Sequence, residues 1–404
     1  MVNQLRHRMD LIFDSSATKK GYFAFLIMYA VAYWGEPIYF TYLPIYFRQI
    51  GFNNATIGIL YSLGPAIALL AQPMWGRWGD RSPVKNHVLY YILAGSGISM
   101  LLMGFSQSLP YIFTFFIIHV FFRTSQHPVE DSLSLDFLSQ HQLRFGPIRG
   151  IGTLGYMFVA AFIGMAMKVD ARTLFPLYLL FSLISIWAIR RTPPIMGQMK
   201  LKQKIDFKQI RHGKLLLGYV AFSFLISIPY GFYSTFFAIY LTTDLGGTMN
   251  LLGILMITSA SAEVFFLFYG EKLLARFGMN NLLLVAALIS LLRWVLTYLV
   301  TDPVTQVFVQ MLHGFSFIVV HFCLVNYIHQ CVPPAVRTSG QTMYSLVTNG
   351  LGRIIPSLAG GYISALYGIR ILFLISSVML LVALALLIWL IIRSRGSKDA
   401  LHSF

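Results

Sequence analysis

Long apolar runs recur along this chain, separated by short polar breaks. A hydrocarbon core about 30 Å thick takes about 20 apolar residues in helical form. Twelve such runs can be read, at 21–47, 55–76, 87–106, 110–137, 148–168, 173–190, 214–241, 250–272, 282–301, 304–331, 340–366 and 370–392. One polar break is long, residues 191–213, RTPPIMGQMKLKQKIDFKQIRHG. It reads as a linker between two sets of six helices, residues 1–190 and 214–404. The first run is long and lacks a small-residue cleavage site after it, so a signal peptide is not expected. The pattern predicts an all-α membrane protein of twelve transmembrane helices in two six-helix bundles.

Composition supports the pattern. The set AVILMFWYC makes up 57% of the 404 residues and charged residues 11%, against about 25% charged in soluble domains. The net charge of +16 would otherwise point to nucleic acid. Its distribution says instead that no nucleic-acid partner is expected. Arg6, Arg8, Lys19, Lys20, Arg77, Arg81, Lys85, Arg144, eight linker cations from Arg190 to Lys214, Lys272, Arg276, Arg337, Arg393, Arg395 and Lys398 make 22 on one side. Arg48, Lys168, Arg172 and Arg370 lie on the other. Cytoplasmic loops carry the Lys/Arg excess, so both termini and the linker are expected in the cytoplasm and the chain in the plasma membrane.

The halves echo one another. GYFAF at 21–25 returns as GYVAF at 218–222, and GIL at 58–60 returns at 253–255. His119 and His127 answer to His313 and His321, and Arg149-x-x-Gly152 to Arg337-x-x-Gly340. Six-helix halves repeated in parallel and joined by a basic loop are a transporter design, the major facilitator architecture.

The remaining cations, Arg123, Arg149, Arg293 and Arg353, fall within apolar runs, as do Glu36, Glu130, Asp131 and Glu263. Ionisable groups at that depth are costly and usually face a cavity. At about 1.5 Å per residue, Glu36, Arg123, Glu263, Arg293, His313 and Arg353 share a middle band, which calls for a polar, solute-binding centre. His119, Arg123, His127 and Asp131 fall on one helix face; a structural ion-pair ladder is the alternative. Asp131 and Arg149 come out near the cytoplasmic end, where they are candidates for the cavity or its mouth. Arginine binds anions and hydroxyls but does not release a proton, so proton transfer falls to Glu263, Asp131 or His313, with Arg293 tuning them. Tyr33 and Tyr230, at equivalent places in the repeat, are candidate stacking surfaces. Gly35, Pro37, Pro229 and Gly231 predict bends beside them.

GRWGDRSPVKN at 76–86 resembles the major facilitator signature between the second and third helices, matching at Gly76, Asp80, Arg81 and Lys85 but with Pro83 for its second glycine. The resemblance implies that Gly76, Asp80 and Arg81 serve the cytoplasmic gate. PVED at 128–131, FGPIRGIG at 145–152, AEV at 262–264, Arg293-Trp294 and QMLHGFSFIVVH at 310–321 resemble the branch of phenylpropionate permeases related to the lactose permease. It implies proton symport, with Asp131 and Arg149 as sugar-binding counterparts. The lactose permease has a proton-carrying glutamate where this chain has Ser316, so Glu263 is the expected replacement.

The expected activity is secondary active transport, proton-coupled uptake of a small organic solute such as a sugar or aromatic carboxylate by alternating access. Substrate-binding candidates are Asp131, Arg149, Arg123, His127, Glu36, Tyr33 and Tyr230; proton-coupling candidates are Glu263, Arg293, His313 and Asp131. The alternatives are proton-antiport efflux of drugs or sugars and, remotely, an intramembrane enzyme, for which HExxH, GxSxG and catalytic aspartate pairs are absent from the sequence. No cofactor beyond the proton gradient is expected. Cys323 and Cys331 form no CxxC, and His127 with Asp131 beside Arg123 makes a poor ligand set, so no metal is expected either. The partners are solute, protons and lipid, with the protein a monomer.

Overall fold

A computed structural model describes residues 16–143, 145–166, 170–197, 213–331 and 337–396. Expectations about the termini, Arg144, Lys168 and most of the linker fall outside the described residues. Among those residues the chain is helical and contains no strand. The helices are α1 (Thr18–Gln49), α2 (Asn54–Arg81), α3 (Lys85–Met103), α4 in two pieces (Leu109–Arg123 and Gln126–Gln140), α5 (Gly146–Ala166) and α6 (Leu174–Ile189). They continue as α7 (Gly213–Ile239), α8 (Met249–Phe277), α9 (Met279–Leu299), α10 (Pro303–Gln310 and Phe317–Cys331), α11 (Arg337–Ser345 and Gly352–Tyr367) and α12 (Arg370–Gly396).

Nine of the described helices are long and apolar enough to cross a membrane, and α8, which is bent, makes a tenth. The two expected spans that fall short are α4 and α11. Arg123, His127, Glu130 and Asp131 lower the hydropathy of α4, and a break at Thr124–Ser125 shortens its pieces. In α11 the polar opening RTSGQTMYS leads into a π turn at Leu346–Leu351.

Prolines explain two of the breaks, because each removes an N–H that would have met the carbonyl four residues back. Pro128 leaves the Thr124 carbonyl without its helical donor, and Gln72 Nε2 donates to it instead at 2.9 Å. Pro37 does the same to the Tyr33 carbonyl, which receives the Glu36 N–H at 3.2 Å. α1 is therefore interrupted at Tyr33–Trp34, resumes as helix over Gly35–Pro37 and passes into a π turn at Ile38–Tyr42.

The chain forms two compact units. Unit 1 is Met1–Tyr39 with Ala66–Leu201, and unit 2 is Phe40–Pro65 with Lys202–Phe404. The repeat in the sequence divides at the linker, whereas the packing assigns residues 40–65 to unit 2. Unit 1 is cored by Phe25, Met28, Tyr29, Leu89, Ile92, Leu133 and Phe137. In it α5 meets α1 backbone to backbone, since a Cβ on Gly155 would strike the Ala30 carbonyl. In unit 2 the start of α2 meets α11 the same way, with Gly58 against the Ser357 carbonyl and Gly361, and Asn54 Nδ2 donating to the Ser364 carbonyl at 3.4 Å.

Candidate transport site

Unit 1 gathers five of its six sequence candidates around the turn of α1. Because that turn breaks the helix, Glu36 reaches both pieces of α4. Its Oε2 accepts from Arg123 Nη2 at 2.5 Å, and its Oε1 lies 3.0 Å from His127 Nε2. His127 Nδ1 in turn lies 2.9 Å from Glu130 Oε2. Tyr33 stacks on the His127 ring with centroids 4.4 Å apart, and the Arg149 guanidinium sits 4.5 Å from the Tyr33 centroid. Arg123 also caps the face of Tyr39 at 3.9 Å. Asp131 is drawn aside from this group, accepting from the Tyr29 hydroxyl at 2.5 Å. Arg149 is exposed, as its expected place near the mouth allows.

Unit 2 gathers Tyr230, Glu263, Arg293 and His313, with Arg353 beside them. Arg293 is fully buried and its head is held on two sides. Nε donates to Gln310 Oε1 at 2.8 Å, and Nη1 donates to His313 Nδ1 at 3.0 Å. Tyr233 and Trp294 present their faces to the same guanidinium, 4.4 and 4.3 Å from their centroids. Arginine can only donate, so His313 Nδ1 is an acceptor and its ring hydrogen is on Nε2. That nitrogen faces Glu263 Oε1 at 3.9 Å, near enough to attract and too far to hydrogen bond. Glu263 is placed by a backbone contact, because a Cβ on Gly314 of α10 would overlap Ala262 and Glu263 of α8. Tyr230 stacks on Phe317 at 4.4 Å and on His313 at 5.6 Å, and the Arg353 guanidinium lies 5.5 Å from its centroid.

The expected gate residues lie at the α2–α3 turn in unit 1. Gly76 has open space around it, Arg81 is exposed and Asp80 is half-buried. The fixed point there is Lys85, whose buried Nζ meets Asp136 Oδ2 at 2.6 Å and Asp80 Oδ1 at 3.7 Å. Residues 192–197 strap this turn, with Asn86 Nδ2 donating to Thr192 Oγ1 at 2.9 Å and the Lys85 N–H donating to the Ile195 carbonyl at 2.8 Å.

Several contributors escape a search for charges. Gln126 Nε2 bonds Glu130 Oε1 at 3.0 Å, and Gln310 joins Arg293 to Thr297 Oγ1 at 3.0 Å. Amides inside apolar runs are the signal that would have found them. Lys85 with Asp136 reads in sequence as ordinary cytoplasmic charge, and Tyr29 as packing.

Residues 23–375 match the MFS_1 like family. The chain belongs to that family. This MFS_1 like protein is accordingly a membrane transporter of the major facilitator type, as the sequence motifs imply. Among its relatives, an uncharacterized transporter, YwbF, of Bacillus subtilis is 24% identical, covering 95% of this chain and 96% of its own. A maltose permease of Geobacillus stearothermophilus is 27% identical over 93% of this chain and 96% of its own. Among solved structures, the nucleoside transporter NupG matches with a TM-score of 0.80 at 18% identity, over 93% of this chain and 99% of that one. This likeness shows the fold.

Proposed function

We propose that this transporter takes up a small hydroxylated solute of the sugar class, driven by protons, by alternating access. One observation carries the reading: in each unit a buried arginine belongs to a group that also holds an acid, a histidine and an aromatic ring. In unit 1 these are Arg123, Glu36, His127 and Tyr33; in unit 2, Arg293, Glu263, His313 and Tyr230. Sugars are bound through such parts. Guanidinium and carboxylate groups pair with adjacent hydroxyls, and an aromatic ring covers the C–H face. Histidine and carboxylate in reach of one another can exchange a proton with changing surroundings. Glu263 is the exchanging group in unit 2, since its carboxylate is part-exposed and faces an imidazole N–H from beyond hydrogen-bond distance. The maltose permease relative agrees with the sugar reading.

The test is proton movement in right-side-out vesicles given maltose, uridine or 3-phenylpropionate in turn. External alkalinisation with maltose is expected. A response confined to 3-phenylpropionate would replace the sugar with an arylcarboxylate, in keeping with the phenylpropionate-type motifs. External acidification would replace uptake with efflux by antiport.

A further inference from the structure

Glu130 is fully buried in unit 1 and has no part in the solute contacts above. Its Oε1 accepts from Gln126 Nε2 at 3.0 Å, and its Oε2 lies 2.9 Å from His127 Nδ1. The other ring nitrogen lies 3.0 Å from Glu36 Oε1, while Glu36 Oε2 holds Arg123.

Hydrogen counting decides what this arrangement contains. An ionised carboxylate only accepts, and a neutral imidazole owns one N–H. With both acids ionised and the ring neutral, one of the two N···O contacts would set lone pair against lone pair. Both contacts need a hydrogen, so the group holds one proton beyond that state. Glu36 already has the Arg123 charge opposite it. The extra proton therefore belongs to the contact between Glu130 and His127 Nδ1, on the carboxyl oxygen or on the ring. A buried ionised carboxylate with no cation beside it is strongly disfavoured, and the imidazolium or the protonated acid removes that situation.

We infer that Glu36, His127 and Glu130 form a second proton-binding site, separate from Glu263, whose occupancy ties the turn of α1 to the Gln126–Gln140 piece of α4. When the proton leaves to water, the ring keeps one N–H. Given to Glu130, it leaves a lone pair facing Glu36; given to Glu36, it leaves one facing Glu130. Either way a link between α1 and that piece of α4 opens. Other charged and titratable groups act on the site from each side. Arg123, Asp131 and His119 lie on α4, Arg149 on α5 bears on Tyr33, and Tyr178 comes from α6. The chain passes from unit 1 to unit 2 between Tyr39 and Phe40, just beyond Glu36. The site's role in driving accumulation rests on the proton-coupled reading; the bound proton does not.

Infrared difference spectra of the full-length protein in lipid films, taken between acid and alkaline pH, with nitrogen-15 histidine spectra, test the site directly. A protonated-carboxyl or imidazolium signal is expected, lost in both Glu130→Gln and His127→Gln and kept in Glu263→Gln. The Glu130→Gln amide donates to Nδ1 and so imitates the protonated arrangement without unfolding it. In proteoliposomes this variant is expected to keep maltose counterflow and to lose proton-driven accumulation by about tenfold or more, within the range of ordinary coupling energies. Spectra unchanged by both substitutions overturn the site. Altered spectra with wild-type accumulation overturn its part in coupling. Altered spectra in a protein that moves protons with none of the solutes uphold the site and overturn coupled uptake.

Discussion

Arg293 shows what a buried arginine does that a lysine would not. Its fork reaches Gln310 and His313 at once while two aromatic rings cover its faces. A lysine offers its three N–H donors from one nitrogen and has no planar fork to span both partners in this geometry. Arg293→Lys is expected to fold and to lose proton-driven accumulation, because His313 then loses the donor that fixes its hydrogen on Nε2. Wild-type accumulation in that variant would refute the role of the fork. Lys85 makes a different case. Removing one member of a buried ion pair costs about 3–5 kcal/mol, so Lys85→Met should lower the unfolding temperature markedly, with Lys85→Met/Asp136→Leu recovering most of the loss. An additive double variant would count against the pair. Arg123, Glu36, Arg293 and Glu263 were legible in the sequence, since charge within an apolar run is conspicuous. Glu130 was visible as a charge, but its two-sided contact with Gln126 and His127 was not, because it depends on the break in α4.

Among elements, the breaks matter more than the spans. The apolar runs give the helices directly, yet nothing in those runs says that Gln72 takes over the Thr124 carbonyl that Pro128 leaves open. Pro128 marks the break locally, but that substitution is tertiary, so how α4 is held in its two pieces was not legible. The interruption of α1 beside Gly35 and Pro37 was legible from those residues, whereas the same signal at Pro229 and Gly231 misleads, since α7 continues as helix through both. The contact of α8 with α10 depends on Gly314, whose missing Cβ lets the helices meet beside Glu263. Forcing atoms into such a contact costs about 1–3 kcal/mol. Gly314→Ala should therefore lower thermal stability by that order and weaken the coupling of Glu263 with His313, read as reduced accumulation with protein still in the membrane. An unaffected variant would show that the contact is loose. At the start of α10, Asp302 accepts from both the hydroxyl and the N–H of Thr305 at 2.6 Å, which hold its carboxyl below the usual range. A lowered carboxyl adds stability above the ordinary carboxylate range and loses it as pH falls through its own value. The unfolding difference between wild type and Asp302→Ala should shrink in acid.

For the whole molecule, the asymmetry of cations predicts orientation. A cysteine at Arg172 should react with an impermeant maleimide in intact cells, and one at Arg191 only after permeabilisation, both positions being exposed. The reverse pattern would invert the topology. Six-plus-six organisation was legible from the repeat, but the packing boundary was not. Residues 40–65 belong by sequence to the first half and by contact to unit 2, since glycine-to-glycine approaches such as Gly58 with Gly361 carry no hydropathy signal. That crossing bears on how the protein comes off the ribosome. Residues 40–65 emerge early, before α11 exists, so Gly58 waits through most of synthesis without the backbone it packs on. A gene cut at the linker would yield a first fragment in permanent want of that packing, and the second fragment, supplied separately, would act as its chaperone.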